Sequence, residues 1–283
     1  MEGIGKLIFR LIAFLAHAVP GPLRELTVHV CAMCLYALSP RQRGNVADNL
    51  SRVGRPASRG LVFGIFKLHT RNVFEMFSSS RWDDVEITDL FECKGKEALD
   101  RALAGGKGAI LVTGHIGSWE LAALYLQTLG YDLHVVAGVQ LNKLLTGAVK
   151  EAKEKRGIHV VNPDNSYRKL LKALASNGII ALLVDGNIYT GGEELVFFGA
   201  TTRVPDGPLK LAKTSGAPIV GGYCRRLGGD RCAIVMEPIM SAGEVETIPE
   251  REALNRVYRS VERIIGRNAD QWCLFRRFWG GVS

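Results

Sequence analysis

His115 and Glu120 close the run Gly-Gly-Lys-Gly-Ala-Ile-Leu-Val-Thr-Gly-His-Ile-Gly-Ser-Trp-Glu at residues 105–120. An imidazole takes a proton from a hydroxyl near neutral pH, and a carboxylate beside it fixes its tautomer and stabilises its charged form. The apolar stretch 109–113 predicts a buried strand, and the residues after Ser118 predict a helix. His115 therefore falls at the carboxyl end of a strand, where open α/β folds bind ligands. Ser118 is a natural N-cap, which places Glu120 in the first helical turn. From there its carboxylate is expected to fold back onto His115.

Such a pair is a general base. No Gly-x-Ser-x-Gly elbow or catalytic cysteine stands near it, so a direct reaction is expected. His115 would deprotonate an acceptor hydroxyl, which would attack an acyl thioester. The backbone N–H groups of Gly117 and Ser118 are candidates for stabilising the oxyanion. A single histidine at a strand end also has a purely structural reading. A dinucleotide loop lacks its third glycine here, and a metal site at His115 and Glu120 lacks further ligands.

The elements that must position these residues follow from hydrophobic patterning. Short β-rich runs at 109–113, 133–137, 158–161, 179–184, 218–223 and 232–236 alternate with expected helices at 118–129, 143–156, 166–176 and 206–215. Asp206 is the expected cap of the last of these, with Pro208 in its first turn. A final amphipathic helix over 251–266 presents Leu254, Val257, Val261, Ile264 and Ile265 on one face. The reading is α/β: a single, mostly parallel central sheet flanked by helices, with an N-terminal apolar helical extension. Residues 1–40 form that extension and residues 41–283 the α/β domain. Asp185 ends the strand over 179–184, on the same sheet edge as His115, and is a supporting site candidate.

The 283 residues carry a formal charge of +8, with 47% hydrophobic and 23% charged residues. That excludes a disordered chain and favours an acidic partner. Residues 1–60 hold eight Lys/Arg and three acids, beside the most apolar runs, at 7–19 and 26–38. Basic residues flanking apolar helices suit an anionic membrane surface, and no stripe of basic and aromatic residues suits nucleic acid. Each apolar run is shorter than the ~20 residues needed to span a bilayer, so a hairpin lying on or dipping into one leaflet is expected. The six cysteines are scattered. Cys31 and Cys34 are read as buried structural thiols in a reducing compartment. His17, His29, His69, His134 and His159 are read as structural.

The His-x4-Glu motif in this setting resembles the signature of the lipid A late acyltransferases and bacterial lysophospholipid acyltransferases. The likeness extends over most of the chain: Gly114-His115-Ile116-Gly117-Ser118-Trp119-Glu120, Arg156-Gly157, Asp185-Gly186-Asn187, Phe197-Phe198-Gly199, Gly207–Ala212, Gln271-Trp272 and Arg276-Arg277 follow in the family's order. Ser118 stands where the family has Asn. Asp-Gly replaces Asp-Gln, Gly138-Val139-Gln140 replaces a run containing an arginine, and Phe275 replaces a histidine. The resemblance implies an acyltransferase with catalytic His115 and Glu120, at the cytoplasmic face of a bacterial inner membrane. The donor it implies is acyl–acyl carrier protein or acyl-CoA, and no metal or organic cofactor is called for. The implied acceptor is a hydroxyl of a lipid-linked sugar such as a lipid A precursor, with phosphatidylinositol mannoside or a lysophospholipid as alternatives. Arg156 and Arg203 are candidates for phosphates of the substrate or of the carrier's phosphopantetheine. Arg276, Arg277, Phe278 and Trp279 form either an interfacial patch or ordinary packing. A catalytically silent lipid-binding relative and a soluble dinucleotide enzyme are the rival readings.

Overall fold

Alternating strands and helices assemble into a seven-stranded sheet in the computed structural model, which describes residues 14, 16, 19, 21–79, 82–136, 150–151, 153–162, 166–186 and 191–279. Helices α1 (Gly21–Leu38), α2 (Pro40–Arg52) and α3 (Arg59–Ser78) precede the sheet. The alternation then runs α4 (Asp84–Asp89), β1 (Phe91–Lys94), α5 (Lys96–Leu103), β2 (Ala109–Thr113), α6 (Trp119–Thr128), β3 (Leu133–Val136), β4 (His159–Val161), α7 (Tyr167–Ala175) and β5 (Ile179–Leu183). A two-stranded hairpin follows, β6 (Glu193–Phe197) and β7 (Ala200–Val204). The chain continues through α8 (Gly207–Ser215), β8 (Ile219–Gly228), β9 (Arg231–Met240), α9 (Ala242–Thr247) and α10 (Glu250–Arg267).

The sheet order is β1-β9-β8-β2-β5-β3-β4. Five neighbouring strands, β8, β2, β5, β3 and β4, run parallel, and β9 turns back on β8 as an antiparallel partner. Both faces are covered, and β2 shows why. Ile110 and Val112 belong to one hydrophobic core with α7, α8 and α10, while Ala109 and Leu111 belong to another with α6. Successive side chains of a strand point to opposite faces, so a strand buried on both sides must be continuously apolar.

The expected parallel sheet and its flanking helices are present, and the apolar face expected over 251–266 is buried along α10. Strands β8 and β9 extend further than the sequence indicates, because each supplies hydrogen bonds to the other beyond the apolar stretch. Strand β1, helices α4, α5 and α9, and the β6–β7 hairpin were not read from the sequence. Asp206 stands at the expected N-cap, but its carboxylate pairs with Lys210 at 2.6 Å rather than capping the helix. Most of the first apolar run, 7–19, much of the helix expected over 143–156, residues 138–140 and Asn187 lie outside the described residues.

Helix α1 packs Val28 and Cys31 against Val73, Phe74 and Phe77 of α3. Its other side leaves Leu23, Leu26, Val30, Met33 and Leu38 exposed. No helix among the described residues is long and apolar enough to cross a membrane. All described cysteines are free; Cys31 is buried as expected, but Cys34 is exposed, one helical turn further round α1.

Candidate active site

Strands β2 and β5 pair in parallel, from Ala109 opposite Ile179 to Thr113 opposite Leu183. Extending that register by two residues brings His115 beside Asp185. The Asp185 Oδ1 lies 2.7 Å from the His115 ring nitrogen Nδ1. The other carboxylate oxygen, Oδ2, accepts the His115 backbone N–H at 2.7 Å and the Trp272 indole N–H at 2.7 Å. Asp185 is 0% exposed, whereas the His115 side chain keeps 24% of its surface. Burial pushes the Asp185 carboxyl up, but the His115 imidazole beside it and three hydrogen bonds outweigh that, so it is held below its ordinary value. An ionised Asp185 requires a proton on Nδ1 and leaves Nε2 as the basic nitrogen.

The loop carrying His115 is clamped from two sides. On one, the segment after α10 runs antiparallel to it: Gly117 N–H donates to the Gln271 carbonyl, and Cys273 N–H donates to the His115 carbonyl. On the other, α3 presents Asn72, whose amide donates to the Gly117 carbonyl at 2.5 Å and accepts from the Ser118 hydroxyl at 3.0 Å. Arg226 of β8 donates to Ser118 and to the buried Glu75, which also pairs with Arg71 at 2.9 Å. Gly117 has a φ of 58°, and a Cβ there would stand 2.0 Å from the Cys224 carbonyl oxygen. Only glycine fits.

This geometry corrects several expectations. Glu120 lies in the first turn of α6, but its carboxylate does not touch the His115 ring. Its carboxylate pairs with Lys153 at 2.7 Å and accepts the Trp119 indole N–H at 3.2 Å. The helix axis carries Glu120 away from the sheet edge, whereas register delivers Asp185 to it. Trp119 in turn meets the His115 ring edge-on, with centroids 5.2 Å apart, so Glu120 reaches the imidazole only through the indole. Ser118 is buried in the clamp and makes no side-chain cap. The Gly117 N–H is committed to Gln271 and is therefore unavailable as an oxyanion donor in this geometry.

The two arginines expected at the site sit elsewhere. Arg156 donates to the Trp82 carbonyl at 2.9 Å and to Asp84 at 3.0 Å, tying the end of its helix to the start of α4. Arg203 lies on the exposed hairpin, opposite Glu194 at 3.6 Å. Phe278 and Trp279 are buried against Phe197 and Phe198, so these two pack inward rather than forming an interfacial patch, while Arg277 stays exposed beside Asp48. The cation near the strand end is Arg276, whose guanidinium lies over Gly186, the residue after Asp185.

Asn72, His69 and the indole of Trp272 were not singled out as site residues. The trace of Asn72 in the sequence is that Thr70, Arg71, Asn72 and Glu75 interrupt an otherwise apolar helix, where polar side chains need buried partners; Trp272 falls in the Gln271-Trp272 run that follows the family's order. His69 lies on α3 against Phe275, with ring centroids 4.7 Å apart, and its Nδ1 is buried without a hydrogen-bond partner. Burial, with a smaller contribution from His115, pushes its pKa down to about 4. Beside Glu120 a small open recess is lined by Met76, Ser79, Leu124, Lys153 and Ile158.

An oriented, partly exposed imidazole at the carboxyl edge of a doubly covered parallel sheet is a candidate general base. The chain matches the family model described as bacterial lipid A biosynthesis acyltransferase over residues 6–280, and it belongs to that family. It is 28% identical over 213 residues to the phosphatidylinositol mannoside acyltransferase of Mycolicibacterium smegmatis, covering 71% of this chain and 69% of that protein. It is 31% identical over 134 residues to the protein of the same description from Mycobacterium tuberculosis, covering 46% of this chain and 42% of the relative. The chain thus aligns with less than half of the length of the M. tuberculosis relatives.

Proposed function

We propose that the protein is an acyltransferase that moves a fatty acyl chain from an acyl thioester, on acyl carrier protein or coenzyme A, to a sugar hydroxyl of a membrane glycolipid. The observation that carries this reading is the His115–Asp185 pair, with Nδ1 held at 2.7 Å and Nε2 left as the base. His115 Nε2 takes the acceptor hydroxyl's proton as that oxygen attacks the thioester carbonyl. The tetrahedral intermediate collapses with cleavage of the C–S bond, and the imidazolium returns the proton to the departing thiolate. Asp185 stabilises the imidazolium without itself being protonated, as the acid of a Ser-His-Asp triad does. Glu120, through Trp119, positions the imidazole and lines the approach with Lys153.

The acceptor that the relatives favour is a phosphatidylinositol mannoside; the description of the family favours a lipid A precursor as the second candidate. Work at a membrane surface is supported by the exposed apolar side of α1 and by the excess of basic residues over residues 1–60. On this reading the protein rests on the cytoplasmic face of the bacterial inner membrane, where acyl carrier protein and coenzyme A thioesters are found.

Radiolabelled acyl transfer in detergent to a panel of both acceptors and a lysophospholipid tests the reading. Wild type should acylate a mannosylated phosphoinositide, His115→Ala should not, and Glu120→Gln should retain about a hundredth to a tenth of the rate. Transfer undiminished in His115→Ala removes the proposed base. Transfer to the lipid A precursor alone moves the acceptor assignment. A folded wild type that acylates nothing favours a silent lipid-binding protein.

A further inference from the structure

Outside the acyl-transfer site, metal-ligating side chains converge at the far edge of the sheet. Asp132 stands just before β3 and His134 is the second residue of that strand, so alternation places both on one face. Strand β4 pairs in parallel with β3, and His159 lies opposite His134, so the second imidazole must share that face. The rings stack with centroids 4.6 Å apart and 20° between their planes. Both turn Nε2 to the same carboxylate: His134 is 3.2 Å from Asp132 Oδ2, and His159 is 3.3 Å from Oδ1. One ligand atom from each of the three lies within 4.8 Å of the others.

We propose that Asp132, His134 and His159 form a binding site for a divalent transition-metal ion of the Zn2+ class. The two N···O separations are longer than the ~2.7–2.9 Å of a charge-assisted hydrogen bond. They match the ~3.3 Å edge of a tetrahedron whose metal–ligand bonds are ~2.0–2.1 Å. The side chain of His159 is 60% exposed and free of packing on most of its surface, and the two imidazole nitrogens lie within 4.8 Å of each other. Two imidazoles and one carboxylate suit zinc, nickel or copper, whereas magnesium and calcium take oxygen ligands. Among the described residues, the ion-pair partners of Asp132 are these two imidazoles, so no lysine or arginine competes for the carboxylate. Three protein ligands leave a coordination position for water.

The place of the site in the fold defines its role. Strand β4 spans only His159–Val161 and forms the edge of the sheet. An ion held by His159 on one side and by Asp132 and His134 on the other clips that edge to β3. The clip lies at the amino end of β3, whereas His115 lies past the carboxyl end of β2, so the ion stabilises the fold and takes no part in acyl transfer.

The test uses the full chain in detergent, stripped with EDTA and titrated calorimetrically with ZnCl2 and separately with MgCl2. Zinc should bind at one equivalent and raise the thermal midpoint while leaving acyl transfer unchanged; magnesium should neither bind nor raise the midpoint. His159→Ala and Asp132→Asn should weaken zinc binding at least about tenfold, since altering even an outer-shell partner costs ~10–100-fold. Cobalt substitution should give a visible spectrum without a thiolate charge-transfer band. Absence of zinc binding in wild type overturns the proposal. Binding that persists in both variants, with a thiolate–cobalt band, also overturns it and moves the ion to cysteines such as the exposed Cys34.

Discussion

Two groupings of histidine and aspartate sit on one sheet and differ in how the carboxylate is held. At the carboxyl ends of β2 and β5, Asp185 is fully buried and receives a ring nitrogen, a backbone amide and an indole, each at 2.7 Å. At the amino end of β3, Asp132 keeps 47% of its side chain exposed and faces two imidazoles at 3.2 and 3.3 Å. A buried carboxylate saturated with donors has one geometry and imposes it on its histidine. An open carboxylate between two imidazoles imposes none, and all three can turn toward an ion. On the proposed readings, the same residue types serve as a base in one place and a ligand set in the other because burial and donor count differ.

Breaking each carboxylate separates the two. Asp185→Asn should lower turnover about 10³–10⁴-fold, with His115→Ala at least as low, because the imidazole loses its tautomer. Asp132→Asn should leave turnover unchanged in the same acyl-transfer assay. Asp185 also links stability to pH. Its carboxyl is held below its ordinary value, so its contribution is full above that value and is lost as pH falls through the lowered one. The stability gap between wild type and Asp185→Asn, read from urea melts, should therefore close on acidification.

Next in size is Gly117→Ala. It sets a Cβ against the Cys224 carbonyl at a positive φ, and should cost about 3 kcal/mol or more in chemical denaturation while abolishing transfer. Trp272→Phe keeps the packing but removes one donor to Asp185. It should cost about 1.5–3 kcal/mol, the range for a hydrogen bond to a charged group, and lower the catalytic rate more than it alters KM.

The smallest effect concerns His69. Its pKa is pushed down to about 4, so between its ordinary value of 6.5 and 4 the unfolded chain binds a proton that the folded chain refuses. Stability should fall as pH drops through that window. His69→Phe should flatten the slope by up to one proton, measured as the denaturation midpoint against pH.

Much of this arrangement is legible in the chain. The apolar run 109–113 ending in Gly-His specifies a buried strand with its histidine at the ligand-binding edge, and 179–184 ending in Asp185 specifies a second. Their in-register pairing, which makes Asp185 the partner of His115, follows from neither stretch alone. Glu120 is nearer in sequence but points along α6 to Lys153, so proximity in the chain does not select the carboxylate that touches the imidazole. Gln271-Trp272 stands out as a family run, but the contacts of Asn72 and Trp272 with the site are not legible, because these residues arrive from α3 and from beyond α10, separated from the loop by more than forty residues in one case and by most of the domain in the other. His134 and His159 read as strand residues, since alternation fixes their face but not their neighbour.

The sequence by itself determined the alternation of strands and helices, the apolar faces that cover the sheet, the histidine at the ligand-binding edge and the basic, apolar N-terminal region. These depend on residue type and local period, which short stretches of chain carry in full. Tertiary structure alone decided which carboxylate orients the imidazole, which backbone amides are already spent, and where the two strand-borne histidines meet. Those are properties of strand order and register, set by burying two faces of one sheet at once, and no local stretch encodes them.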